Sequence, residues 1–557
     1  MSQHCNHTFS PTYPDFIDYT HKGDDGEDRS RWLLGENVPG VEDGTWSCPH
    51  EALPGYDKCP FHLPVAERPD DLNVTAEFLG HIKQAQNLES RKDRQRKTQF
   101  IDATFENFNI SGEVLDTGTN HYINLAHANI ADANLTDTLI RQPVRFSHAT
   151  FEDESRFNDA IFEGFVDMRN SKFLAPARFK GAIFNRPFSV RHAEFVENAY
   201  FWHTIFKQYA TFRDVDFREY AYFRGVDFEK YVRFSQAHFH DEAKFKLGEF
   251  GDDADFIHTR FDGSHSFTDA EFERTTDFSG VRASGPMDLS GATLETLEMT
   301  PEKIDCKTQY VDLSGSVIKE GELSQPDEGD ILYDAEGATL GDVSVTTPSN
   351  ESAIEHIRLV ATSFDGFEFE SDDMNPEVAE WRVHTVFDDS VLPADRRGEP
   401  SPDTLRETYL KAKNGARQVG NTAASGHFYY KEMKYRRKYL AEITISGGAN
   451  GFSTGFAWLR NTVLWIVTGY GEYPLRVVGS SVGIILGFTG LYQLLGSTDT
   501  PIVESALFSA QSFITFIVGS PPQETTDLIA AASIIQGFIG AFFIALFVYA
   551  FTRKLNR

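Results

Sequence analysis

Positive charge is scarce in this chain: 52 Lys and Arg stand against 83 Asp and Glu over 557 residues, a formal charge of −31. The acid is spread along the sequence and is as dense in GDDGEDRS and EFESDDMNPE as elsewhere, so it reads as surface hydration for solubility in high salt. The competing cause is mimicry of nucleic acid, which diffuse acidity argues against; no nucleic-acid partner is expected. Cysteine is nearly absent, at four residues, which excludes a disulfide scaffold. The opening MSQHCNHTFS lacks a basic stretch followed by an apolar one, so no secretory signal is expected there. The glycine spacings of phosphate-binding loops are missing, and no His of the central region has a partnered Ser or Cys, so nucleotide chemistry and enzymatic activity are not expected.

What the chain has in excess is phenylalanine, 48 residues, placed with unusual regularity. From Phe146 to Phe272 an apolar residue returns after five, then six, then five, then six positions, and only Met168 and Val190 are not Phe. A small residue often stands two positions earlier, as in Ala149, Ala160, Ala182, Ala193 and Ala210. A 3.6-residue period would rotate such positions off any one face, and a period of two would put alternate rings in water. A stacked coil accommodates the beat if each five- or six-residue unit is one side of a squared turn, with Phe and the small residue both facing the axis. Plainer units precede the series (DATF at Phe105, then AHANI, ADANL, TDTLI), with an interruption near VLDTGTNHY, and weaker ones follow to about Phe369. His148, His192, His203, His238, His240 and His258 fall on the coil surface by register and read as solvated.

These units, RFSHATFEDES and RFNDAIFEGFV among them, resemble pentapeptide-repeat proteins. The resemblance implies a mainly β fold, a right-handed quadrilateral β-helix, over residues 100–370. The acidic composition resembles that of halophilic archaeal proteins.

Three of the four cysteines lie within the first sixty residues, as Cys5-x-His7, Cys48-x-His50 and Cys59-Pro-Phe-His62. Cys59 and His62 can reach one ion from a single turn, and Cys5 and Cys48 complete a Cys3His set suited to structural zinc. His7 or His50 can replace one ligand, and reduced, unliganded thiols are the alternative. Residues 1–67 have few aliphatic side chains, the situation in which small segments rely on a metal. Residues 68–99 read as a helical linker and cap for the open end of the coil stack.

Residues 371–450 form a helical connector rich in Lys and Arg, of the kind an anionic lipid surface attracts. In 451–557, residues 475–496 and 528–552 are long and apolar enough to cross a hydrocarbon layer, and WLRNTVLWIVTGYGEYP suits an interfacial helix. No Lys or Arg lies between the spans, whereas Arg460, Arg476, Arg553, Lys554 and Arg557 flank them. The positive-inside rule therefore places both termini and the repeats in the cytoplasm of a multi-pass cell-membrane protein. The connecting stretch, 504–523, is apolar but too short to span and return, so it reads as a re-entrant loop that lines water or is buried in protein.

This order resembles the two-span potassium-channel-like pores, which implies a homotetramer with Ser505–Ile514 as pore helix and Thr515, Phe516, Ile517, Val518, Gly519 and Ser520 at filter positions. Pro521 replaces the second filter glycine, so strong potassium selectivity is not expected. TGYGE at Thr468–Glu472 looks like a filter but precedes the first span. In the second span Gly537 and Gly540 are placed for close helix packing or for a hinge. The expectation is a weakly selective cation-conducting membrane protein whose repeats engage a cytoplasmic protein partner; the alternative is a non-conducting membrane-anchored interaction scaffold.

Overall fold

The computed structural model describes residues 4–10, 41–42, 45–118, 120–347, 352–369, 374, 376–377, 379–446, 451–495, 501–518 and 527–555. They form two compact units: Met1–Arg358 with Asp372–Met374 and Val386–Pro393, and Leu359–Ser371 with Asn375–Thr385 and Ala394–Arg557.

The first unit is a β-solenoid of about 12 turns. Its strands are mostly two residues long and pair in parallel with the strand 22 residues on, as Thr150–Phe151 does with Lys172–Phe173 and Ile161–Phe162 with Ile183–Phe184. Two sides of five and two of six residues make that turn, which is why the Phe beat alternates. The rings stack from coil to coil. Phe151, Phe173, Phe195 and Phe217 lie nearly parallel with centroids 4.5, 4.6 and 5.0 Å apart, and Phe157, Phe179, Phe201 and Phe223 follow at 4.6, 4.7 and 4.8 Å. All are buried, so each coil covers the apolar face of the next. Thr204 and Thr259 stand where other coils have Ala and satisfy their buried hydroxyls by donating to the carbonyls of Phe179 and Phe234.

Two features of the coil were not separable in the sequence. Every eleventh residue from Asp137 to Asp269, two after alternate apolar positions, has positive φ; the occupants include His148, Asp159, Asn170, His192, His203, Asp214 and His258. These histidines are therefore corner residues in a left-handed turn, a conformation that Asn, Asp and His tolerate better than most side chains. At the one coil where Val190 replaces Phe, the small residue two positions earlier is itself replaced by Phe188. Its buried ring lies 4.6 Å from Phe184, 5.2 Å from Phe206 and 5.6 Å from Phe212, so ring and small side chain have exchanged places with little change in core volume.

The VLDTGTNHY interruption does not break the stack, since Val114–Leu115 pairs with Leu139–Ile140 and Ile123–Asn124 with Val144–Arg145. Beyond Phe278 the strands lengthen, as in Thr293–Met299, Val317–Ser324 and Thr339–Thr346, with Leu294, Ile318 and Leu340 inside. The first unit closes at Arg358, whose buried guanidinium pairs with Asp334 at 2.9 Å and Glu336 at 2.7 Å. Repeat-like residues 359–369 instead belong to the second unit.

Helix α1 (Val74–Asn87), capped by Asn73, lays Phe78, Ile82 and Ala85 over the first coil, and α2 (Arg91–Lys97) follows. Phe78 packs on Phe100, Phe105 and Phe108 at 4.7, 5.9 and 5.1 Å, covering rings that would otherwise face water.

The second unit is helical: α3 (Pro402–Gln418), α4 (Thr422–Ile445), α5 (Gly451–Thr468), α6 (Pro474–Leu495), α7 (Ile502–Val518) and α8 (Asp527–Leu555). Gly415 lies within α3; a Cβ there would sit 2.4 Å from that of Phe364. Pro474–Leu495 and Asp527–Thr552 are long and apolar enough to cross a membrane.

Candidate functional site

Three short antiparallel strands, Thr8–Phe9, Val41–Glu42 and Thr45–Ser47, gather the dispersed cysteines. Cys5 precedes the first strand and Cys48 follows the third, and backbone bonds from Cys5 to His50 and from Cys48 to His7 hold them side by side. Cys59 opens a tight turn in which the amides of His62 and Leu63 donate to its carbonyl. One ligand atom from each of Cys5, Cys48, Cys59 and His62 lies within 4.8 Å of the others, all buried. The Sγ atoms of Cys48 and Cys59 are 3.7 Å apart, and His62 Nδ1 is 3.0 Å from Cys59 Sγ and 3.9 Å from Cys5 Sγ.

The surrounding groups fit a metal. His62 Nε2 donates to the Ile101 carbonyl at 2.8 Å, which leaves Nδ1 as the ligating nitrogen. The Cys59 amide donates to Cys5 Sγ at 3.2 Å, as a thiolate requires. Hydrogen bonds from Cys48 and Cys59 hold the Cys5 thiol far below the usual thiol range, the bond to Cys5 pushes Cys48 far above it, and burial pushes Cys59 up to about 12. A divalent cation removes that conflict by letting all three deprotonate. The other two histidines are engaged elsewhere: His7 Nε2 with Asp102 Oδ2 at 3.0 Å and His50 Nε2 with the Gln99 carbonyl at 2.6 Å. His50 is buried, which drives its pKa well below the ordinary imidazole value. Both brace the first coil, and His7 also stacks on His62 at 4.0 Å. A metal held by all four of these residues would have no open position for substrate.

In the second unit the short helix α7 lies against both α6 and α8. Gln536, fully buried in α8, donates to the Ser509 carbonyl at 3.0 Å and to its hydroxyl at 2.7 Å, and accepts from Tyr492 Oη at 2.7 Å. Ser509 also bonds the Ile485 carbonyl, and Gln493 bonds Ser505. Beside this network Val477, Phe513 and Phe543 form an apolar cluster. Gly540 is placed at a close approach within the chain: a Cβ there would be 1.9 Å from the Phe513 carbonyl oxygen. Gly537 is buried on the same helix. Gln536 and Ser509 belong to no motif that sets them apart in the sequence, although a glutamine inside an apolar span is a recognisable signal.

The expected pore helix Ser505–Ile514 is longer, beginning at Ile502 and running through Val518. Thr515, Phe516, Ile517 and Val518 thus have helical backbone where a filter would be extended, because nothing in that apolar run interrupts a helix before Gly519. Gly519 and Ser520 lie outside the described residues. The TGYGE string forms the turn between α5 and α6, with Tyr470 at φ 61° and its buried hydroxyl bonded to Asn461 at 2.6 Å. Nearby, Arg437 of the basic connector lies over the Trp465 ring at 3.9 Å.

Residues 125–172, 169–216 and 201–246 match the family of pentapeptide repeats (9 copies). No curated protein and no solved structure matches the chain.

Proposed function

We propose that this protein is a membrane-anchored scaffold whose pentapeptide-repeat solenoid engages a cytoplasmic protein partner, and whose helices α6, α7 and α8 form one subunit of a homotetrameric, weakly selective cation pore. The observation that carries this reading is α7, a helix of 17 residues and so about 25 Å long, joined to two apolar spans through the buried Tyr492–Gln536–Ser509 network. A helix that short cannot cross and return, and polar groups inside an apolar bundle favour a functional interior. Glu504 at the start of α7 and Asp527 at the start of α8 place acid near the same ends of the hairpin, which attracts cations over anions. The lack of Lys and Arg between the spans supports a cytoplasmic side for the repeats and both termini. The Cys3His cluster fits structural zinc that holds the amino-terminal strands over the first coil.

The second reading, a non-conducting anchor, is favoured by the helical backbone of Phe516–Val518, since a filter needs extended backbone to aim its carbonyls at an ion. Recordings of purified full-length protein in planar bilayers separate the two. Cation-selective currents with little potassium-over-sodium preference support the pore, strong potassium selectivity or anion preference refutes the filter and acidic-mouth arguments, and silence leaves the anchor.

A further inference from the structure

On one wall of the solenoid the strands Asp216–Phe217, His238–Phe239 and Arg260–Phe261 pair in register, with Asp216 opposite His238 and His238 opposite Arg260. His240 stands two residues after His238, so both imidazoles project from the same face, their ring centroids 3.6 Å apart. His240 Nε2 is 2.6 Å from Asp216 Oδ1, His238 Nε2 is 2.8 Å from Asp262 Oδ2, and His240 Nδ1 is 3.7 Å from the same Asp262 oxygen. One ligand atom from each of Asp216, His238 and His240 lies within 4.8 Å of the others.

The neighbouring coils of the same wall show what an ordinary ladder looks like: Lys172 and Arg218 share Glu194, and Arg282 reaches Glu302, each acid answered by a base. At His238 and His240 two imidazoles meet two carboxylates instead. The carboxylates are also fixed from behind, since Asp216 Oδ2 accepts from Arg218 at 2.9 Å and Asp262 Oδ1 from Arg260 at 2.8 Å. Each acid thus turns one oxygen to arginine and one to imidazole, the outer-shell support typical of metal-binding carboxylates.

We propose that Asp216, His238, His240 and Asp262 form a metal site on the solenoid wall, separate from the cysteine cluster, for a zinc-class divalent cation. Two imidazole nitrogens and two carboxylate oxygens suit zinc, cobalt or nickel better than calcium or magnesium, which prefer all-oxygen shells. With each ring proton on Nδ1, the two Nε2 atoms coordinate while Asp216 and Asp262 supply oxygens. A bound cation links three successive coils.

Cobalt loading of tag-free, chelator-stripped full-length protein tests this, because cobalt at cysteine gives intense thiolate charge-transfer absorption and cobalt at His and Asp gives only weak visible bands. The wild type is expected to take up one equivalent more than His240→Gln, with the thiolate band unchanged between them. Glutamine keeps a hydrogen bond to Asp216 without supplying a strong ligand; His238→Asn, which must lose the same equivalent, covers the case in which His240→Gln does not fold. Equal cobalt content in wild type and either folded variant overturns the site, and that result is independent of whether the cysteine cluster binds metal.

Discussion

The exchange between Phe188 and Val190 offers a quantitative test of how the solenoid core is built. Phe188→Ala removes a buried ring that touches Phe184, Phe206 and Phe212, and a large-to-small change of this kind costs about 3–5 kcal/mol. Val190→Phe alone drives a second ring into space Phe188 already fills, and overpacking costs about 1–3 kcal/mol. Together the two substitutions restore the commoner order, with the small residue first and the ring two positions later, as Ala210 and Phe212 have it in the next coil. The double variant is therefore expected to be more stable than Phe188→Ala, with a favourable coupling of about 1–3 kcal/mol in the cycle. Urea unfolding of the full-length protein, followed by far-ultraviolet circular dichroism, reads this as a midpoint shift. Because solenoids can unfold in segments, the four proteins must be compared at equal slope. Additive effects, or a double variant below both singles, would refute the claim that the two positions share one volume.

Further tests bear on other parts of the chain. Cys59→Ser should remove one equivalent of zinc from the full-length protein, measured by elemental analysis, and lower its melting temperature; unchanged zinc content argues against the Cys3His set. Burial inside the solenoid lowers His265 to about 4, so the folded state disfavours the protonated ring. Stability is then fully present above the unfolded value near 6.5 and falls by about 3 kcal/mol as pH drops toward 4. In His265→Ala, whose new side chain matches Ala243 in the coil before it, unfolding at several pH values should lack that slope. Gly540→Leu forces α8 away from the Phe513 carbonyl and should disrupt both thermal stability and assembly in detergent; size-exclusion chromatography unchanged from wild type speaks against the close approach.

The inward face of the coil was readable because burial imposes one residue type at fixed spacing, and Phe146 to Phe272 carry that spacing openly. The corner geometry was harder to read. His148, Asp159 and Asn170 differ in chemistry, and what unites them is a backbone angle that only the folded turn reveals, although a tally of Asp, Asn, His and Gly two places after alternate rings would have exposed it. Cys59 and His62 advertise their turn locally, but the choice of His62 over His7 and His50 depends on Ile101, Asp102 and Gln99, contacts made across the first coil. The filter-like alignment of Phe516 to Val518 followed a resemblance in order and spacing, whereas the backbone there follows local helix preference.

The positive-φ corners recur at half the length of a full turn, so the coil has the symmetry of a two-fold screw and eleven residues are its smallest unit of growth. Gaining or losing 22 residues would move everything beyond the change along the axis by one strand spacing, about 4.8 Å, and keep its facing. Gaining or losing eleven would move it half as far and turn it to the opposite side. A lineage could thereby re-aim a surface patch of the solenoid by indel alone, with every ring stack left in contact and no side chain replaced.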